Sequence, residues 1–180
     1  MALKKLQLNN KITSLKDLKK WTNISISLLH PNFVNVYGTT ALDDGMMGIV
    51  MEYADMGALT RGLMDSLTEQ QKVSISLGVC SGISFLHSKK VSHQHIKPEN
   101  VLLFGAEPIA RLSDLGVSKA IKTVGNPKYN APDLLETGAT QGVPIDVFSL
   151  SIIFFELFSG EDTFKGKKDV MNGLLMFLFK

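Results

Sequence analysis

The stretch His93-Gln94-His95-Ile96-Lys97-Pro98-Glu99-Asn100-Val101-Leu102-Leu103, followed fourteen residues after Asn100 by Asp114-Leu115-Gly116, decides how this chain is read. It sets an amide oxygen, from Asn100, and a carboxylate, from Asp114, on loops flanking two short apolar runs, 101–104 and 109–112. Hard oxygen ligands of that kind suit Mg²⁺. Lys97 adds a cation able to meet a phosphate oxygen. Any one of these residues alone reads as a polar turn beside a hairpin; the information lies in their order.

Outward from this stretch, each flank has its own periodicity. Residues 110–129 hold Gly116, Gly125 and Pro127 and predict an extended loop, while 145–158, apolar on nearly all sides, predict a buried helix. On the amino side, 68–87 predict a long helix. Thr68 and Gln71 have capping-box spacing, and Val73, Leu77, Cys80 and Ile83 form its apolar stripe. Residues 33–37 and 46–53 are β-branched or apolar runs separated by Asp43, Asp44 and Gly45, which predicts an antiparallel hairpin. Ser14 and Asp17 open a helix bearing Leu15, Leu18 and Trp21. That pattern yields at 22–27 to strand-like alternation of Ile24 and Ile26 with polar residues. Residues 1–8 predict a further strand. The expected layout is a small β-rich N-terminal part and a larger helical C-terminal part, parted near residues 54–57.

Composition narrows the function classes. With 44% hydrophobic and 20% charged residues, the 180-residue chain can bury a core and is not a disordered composition. A net charge of +2 gives no global attraction to nucleic acid or to an acidic membrane surface. Residues 1–22 carry six lysines against Asp17 alone, a local +5, and read as a solvated helix face because only Trp21 supplies an aromatic. Cys80, the single cysteine, cannot form an internal disulfide. The longest apolar run, 148–158, is broken by Ser149, Ser151 and Glu156 and falls short of the roughly 18 residues a spanning helix needs. Lys4 and Lys5 are followed by polar residues, unlike a secretory leader. A cytoplasmic protein is expected. None of the 15 glycines forms a G-x-G pair, and Gly57 and Gly62 lack the Lys and Ser/Thr of a phosphate loop. His93 and His95, two apart, could share a metal on an extended segment.

Taken in order, the motifs resemble the protein kinase family, whose catalytic loop runs H-R-D-L-K-P-E-N and whose metal-binding turn is D-F-G. Met1-Ala2-Leu3-Lys4 is similar to V-A-I-K, and His30-Pro31-Asn32-Phe33-Val34 to H-P-N-I-V. Ile49-Val50-Met51-Glu52-Tyr53 and Gly57-Ala58-Leu59 resemble the strand, hinge and following helix. Gly125-Asn126-Pro127-Lys128-Tyr129-Asn130-Ala131-Pro132-Asp133 is similar to G-T-P-x-Y-x-A-P-E, and Asp146-Val147-Phe148-Ser149 to D-V-W-S. The resemblance implies an α+β, protein kinase-like two-lobed fold. It places a partial β-rich N-lobe at 1–53, and the hinge with a partial helical C-lobe at 54–180. Strands before Met1 and helices after Phe179 are expected to be missing.

By the same resemblance, Lys4 holds the α and β phosphates of ATP, and the hinge at Glu52, Tyr53 and Ala54 takes adenine behind Met51. Asn100 and Asp114 bind Mg²⁺, and Lys97 neutralises the transferring phosphoryl group. His95 stands where the family has the Asp that accepts the substrate hydroxyl proton, and loss of a positioned base costs about 10²- to 10⁴-fold. Asn126 replaces the Thr that contacts that Asp, and Gln94 the Arg that pairs with an activation-loop phosphate. No Asp or Glu occurs between residues 18 and 42, and the family's helix Glu falls on Trp21 or Thr22. Lys4 is therefore expected to lack its ion-pair partner.

The reading that follows is a catalytically impaired pseudokinase with residual ATP binding, acting through a protein partner and not through nucleic acid or membrane. One alternative is an active Ser/Thr protein kinase, or a fragment of one, with His95 as base and a protein substrate. Another is a truncated product without a function of its own.

Overall fold

The computed structural model describes residues 1–6, 15–42, 46–115, 127–131 and 142–163. Strands β1 (Ala2–Leu6), β2 (Val36–Ala41) and β3 (Met47–Met51) form an antiparallel sheet in the order β1-β3-β2. Strand period 2 turns Ala2, Lys4 and Leu6 inward while Leu3 and Lys5 stay exposed. A second antiparallel sheet joins β4 (Gly57–Ala58), β5 (Val101–Phe104) and β6 (Ile109–Leu112). The last two are the apolar runs expected from sequence, turned by Gly105 at φ +78°. The hairpin of 33–37 with 46–53 is present but shifted: its first strand runs on to Ala41 and its second is trimmed to Met47–Met51. Its first strand begins at Val36 because the backbone of Asn32 and Val34 is spent on Leu112 of β6.

Helix α1 (Leu15–Ser27) runs straight through the segment where strand alternation was expected. Ile24 and Leu28, one turn apart, pack against the main core, and that contact outweighs the slight helix penalty of a β-branched residue. Ser14, the expected cap, lies outside the described residues. Helices α2 (Arg61–Ser66) and α3 (Glu69–Ser88) follow, and Thr68 closes a complete capping box with Gln71.

The buried face of α3 is not the expected one. Ile75, Val79, Ile83 and Leu86 face the core, whereas Val73, Leu77 and Cys80 are exposed. Gly78 and Gly82 explain the choice. A Cβ on Gly82 would lie 3.2 Å from both the Asn32 carbonyl oxygen and the Leu112 side chain, and one on Gly78 2.8 Å from Asn32 Nδ2. The face with the smallest residues comes closest to β6 and carries its aliphatic neighbours inside. Helix α4 (Val143–Ser159) ends at Gly160, left-handed at φ +68°. Its core side is Ile145, Leu150, Ile152, Ile153 and Leu157, but Val143, Val147 and Phe158 are exposed, so it is not buried all round. No described helix is long and apolar enough to cross a membrane.

The main core gathers α3, α4, β5 and β6 side chains. A smaller cluster of Leu6, Val34, Ile49, Met51 and Phe104 lies under the first sheet.

Candidate active site

Residues 93–100 are fixed by a buried carboxylate on α4. Asp146 accepts the His93 and Gln94 N–H groups at 2.8 and 2.7 Å and lies 2.8 Å from His87 Nε2. Gln94 takes a left-handed φ of 60° so that two consecutive N–H groups converge on one anion. Its amide donates to Ser92 Oγ at 2.6 Å, within the loop itself.

His93 is fully buried, and its bonds fix its tautomer. Nε2 meets the Ser113 carbonyl at 3.0 Å and so carries the proton, while Nδ1 accepts the His95 N–H at 3.3 Å. Burial holds this imidazole below its usual pKa, against the pull of Asp146 and Asp114. Both ring nitrogens are engaged, which rules out the shared-metal alternative for His93 and His95. Among the described residues there is no group of three His, Cys, Asp or Glu able to hold a metal.

Asn100 and Asp114 are brought together across the β5–β6 hairpin. The Asn100 carbonyl accepts the Ser113 N–H at 2.9 Å and the Ser113 hydroxyl at 3.2 Å. Asn100 Nδ2 donates to the His95 carbonyl at 2.7 Å, so the amide's donor end is tied down and its oxygen end is the part that could face a cation. Asp114 sits at φ +64°, a conformation costing about 1–3 kcal/mol that persists only where the surroundings impose it. The donor set of one amide and one carboxylate oxygen fits Mg²⁺.

Among the described residues no helix carboxylate pairs with Lys4, but the lysine is not left without a counter-ion. Its ammonium pairs with Asp114 itself. At Thr22, where the family's helix carboxylate was sought, the residue is buried and its hydroxyl has no partner among the described residues. Thr22, Met51, Asp114 and Leu115 line one small cavity of about 30 Å³, room for roughly one water.

His95 is half-buried. Burial first, and then the charge of Lys97, lower its pKa to about 4, with Asp114 pulling the other way. It is a neutral imidazole at physiological pH. Lys97, half-buried on the same loop, accepts the Asn100 N–H on its carbonyl at 2.9 Å. Along the linker after β3, Met51 is buried and Tyr53 exposed. The Glu52 N–H is spent on the Asn35 carbonyl at 2.9 Å, and the Ala54 carbonyl accepts from Gly57 at 3.2 Å. The Glu52 carboxylate takes Asn35 Nδ2 at 2.9 Å and pairs with Arg111, whose guanidinium lies 4.6 Å over the Phe104 ring.

Sequence reasoning missed a second polar centre. Glu156, buried in α4, accepts the Tyr129 hydroxyl at 2.8 Å and the Thr163 hydroxyl at 3.2 Å, and pairs with Lys128. Burial and the Glu156 charge drive the Tyr129 phenol far above its ordinary range. The signal was available: a lone carboxylate inside an apolar helical run must find donors. Asn126, Asp133 of the quoted motif and most of the loop expected over 110–129 lie outside the described residues.

A strand lysine, a linker behind a buried Met, a histidine-centred loop and an Asp turn, arranged on this α+β framework, are the parts of a two-lobed phosphotransferase fold. A family model for the protein kinase domain matches residues 1–177, and the chain belongs to the protein kinase family. The probable serine/threonine-protein kinase gdt4 of Dictyostelium discoideum is 33% identical over 166 residues, covering 84% of this chain and 10% of that protein. The serine/threonine-protein kinase shk2 of Schizosaccharomyces pombe is 32% identical over 142 residues, covering 74% and 24%. The serine/threonine-protein kinase SKM1 of Saccharomyces cerevisiae is 32% identical over 151 residues, covering 72% and 22%. The chain thus spans from a tenth to a quarter of the length of these relatives.

Proposed function

We propose that this kinase domain is a pseudokinase: it keeps a weak ATP and Mg²⁺ site, transfers phosphate inefficiently and acts in the cytoplasm through protein contacts. The carrying observation is His95. At the general-base position the loop presents a neutral imidazole in place of a carboxylate, which takes away the charge that would balance Lys97 and orient a substrate hydroxyl. In this reading residues 1–53 and 54–180 are the two lobes. Lys4 reaches the phosphates, adenine lies against Glu52, Tyr53 and Ala54 in front of Met51, and Lys97 faces the terminal phosphoryl group. Asn100 and Asp114 would hold Mg²⁺, which when bound neutralises phosphate charge.

One observation favours the alternative of an active Ser/Thr protein kinase. With a pKa of about 4, His95 matches the basicity of an ordinary Asp near 3.9, so proton affinity alone is not lost. Radiolabel transfer from ATP to a generic basic protein separates the two. We expect at most a trace of transfer above that of the Asp114→Ala variant; transfer at the rate of an active Ser/Thr kinase domain that disappears in that variant overturns the pseudokinase reading. A melting-temperature rise with ATP that requires Mg²⁺ is expected for the retained site, and no rise at saturating nucleotide refutes it.

A further inference from the structure

We infer that Lys4 is a built-in counter-ion that caps the metal position of its own site, so that a divalent cation enters only by displacing the lysine from Asp114. This rests on the reading of Asp114 as a metal ligand. The strand alternation of β1 turns Lys4 inward with Ala2 and Leu6. Its ammonium then meets a carboxylate whose side chain is only 8% exposed. An unpaired anion that deep is costly, so the lysine stabilises the empty site. Among the described residues that line the cavity beside Asp114, no second carboxylate is present. Thr22, 5% exposed, faces the same space as Asp114 with a hydroxyl lacking any partner among the described residues. No other carboxylate among the described residues pairs with Lys4. An ammonium and a divalent ion directed at one carboxylate repel each other, and the lysine is the one already there. The polyphosphate of a nucleotide is the anion that can draw Lys4 away, which makes nucleotide entry the step that opens the metal position.

Mn²⁺ alone is the probe, followed by loss of the free-ion electron paramagnetic resonance signal on titration of the 180-residue chain. The Lys4→Met variant keeps the bulk of a residue that is about one-third exposed. It is expected to reach half-saturation at a Mn²⁺ concentration at least about tenfold lower than the unmodified chain, the scale for an ammonium a few ångströms from a divalent ion. Thr22→Glu, which puts a second carboxylate into the cavity that Asp114 lines, is expected to shift binding the same way by a smaller factor. Asp114→Asn is expected to abolish the gain when added to Lys4→Met. Equal, Asp114-dependent Mn²⁺ binding with and without Lys4 overturns the capping inference and spares the metal site. No binding by folded Lys4→Met protein refutes Asp114 as a metal ligand, and the capping inference falls with it. If Thr22→Glu fails to fold, Lys4→Met alone decides.

Discussion

Replacing Asp146 by Ala tests whether one carboxylate positions the whole 93–100 loop. The side chain is fully buried and accepts two backbone N–H groups while meeting His87 Nε2, all within 2.8 Å. Each buried donor left unsatisfied costs about 1–3 kcal/mol. Three together give a loss of about 3–9 kcal/mol, a large part of the 5–15 kcal/mol that holds a typical domain. Asp146→Asn keeps the shape but turns one acceptor into a donor, so at least one contact becomes donor against donor, for a loss of about 2–3 kcal/mol. Urea unfolding gives both numbers. Amide hydrogen exchange at His93 and Gln94 localises the effect: protection in the unmodified chain is expected to fall at both amides in the Asn variant, ahead of global unfolding. A loss below about 1 kcal/mol in Asp146→Ala, with both amides still protected, would refute the assignment.

Stability is expected to fall as pH drops from about 6.5 toward 4. His95 holds its proton only below about 4 when folded, so the unfolded chain, with a reference value near 6.5, binds the extra proton in that window. Discounted for partial solvent screening, the effect is about 2 kcal/mol; His93, also held low by burial, adds in the same direction. Urea midpoints at pH 7.5 and 4.5 measure it, and His95→Asn should flatten the difference. A double-mutant cycle of Tyr129→Phe with Glu156→Gln should give about 1–2 kcal/mol of coupling through the 2.8 Å bond, and simple additivity would contradict it. Gly78→Ala, despite improving helix propensity by about 1 kcal/mol, is expected to destabilise in thermal melts, because the new methyl meets the Asn32 amide that bonds the Ala110 carbonyl. Thr68→Ala should cost about 1 kcal/mol by the same measurement, through loss of the capping box.

What was legible in the sequence was local. The β5–β6 hairpin and the Thr68 cap are written in neighbouring residues, and both stand where the pattern put them. The face of α3 was misread because aliphatic residues line two sides of that helix. Glycines, which add nothing to an apolar count, decide which side packs. The strand-like alternation of Ile24 and Ile26 lost to a contact with the main core that no window of ten residues contains. At the candidate site, the motif order marked Asn100, Asp114 and Lys4 one by one. That Lys4 and Asp114 meet, across a separation of 110 residues, is a property of the fold.

The segment 32–35 also has a mechanical meaning. Asn32 and Val34 bond β6, Phe33 lies in the main core and Val34 in the smaller one, so a single peptide unit is anchored on both sides. The other crossing, after β3, is laced to it by two contacts between Asn35 and Glu52. Two adjacent crossings clamped to each other are expected to act as the knuckles of one door pin, resisting sliding and separation and leaving swing about the line through them as the softest motion. Lys4 and Asp114 lie on leaves that this swing would part, so the ion pair between them acts as the latch on the free edge of the door.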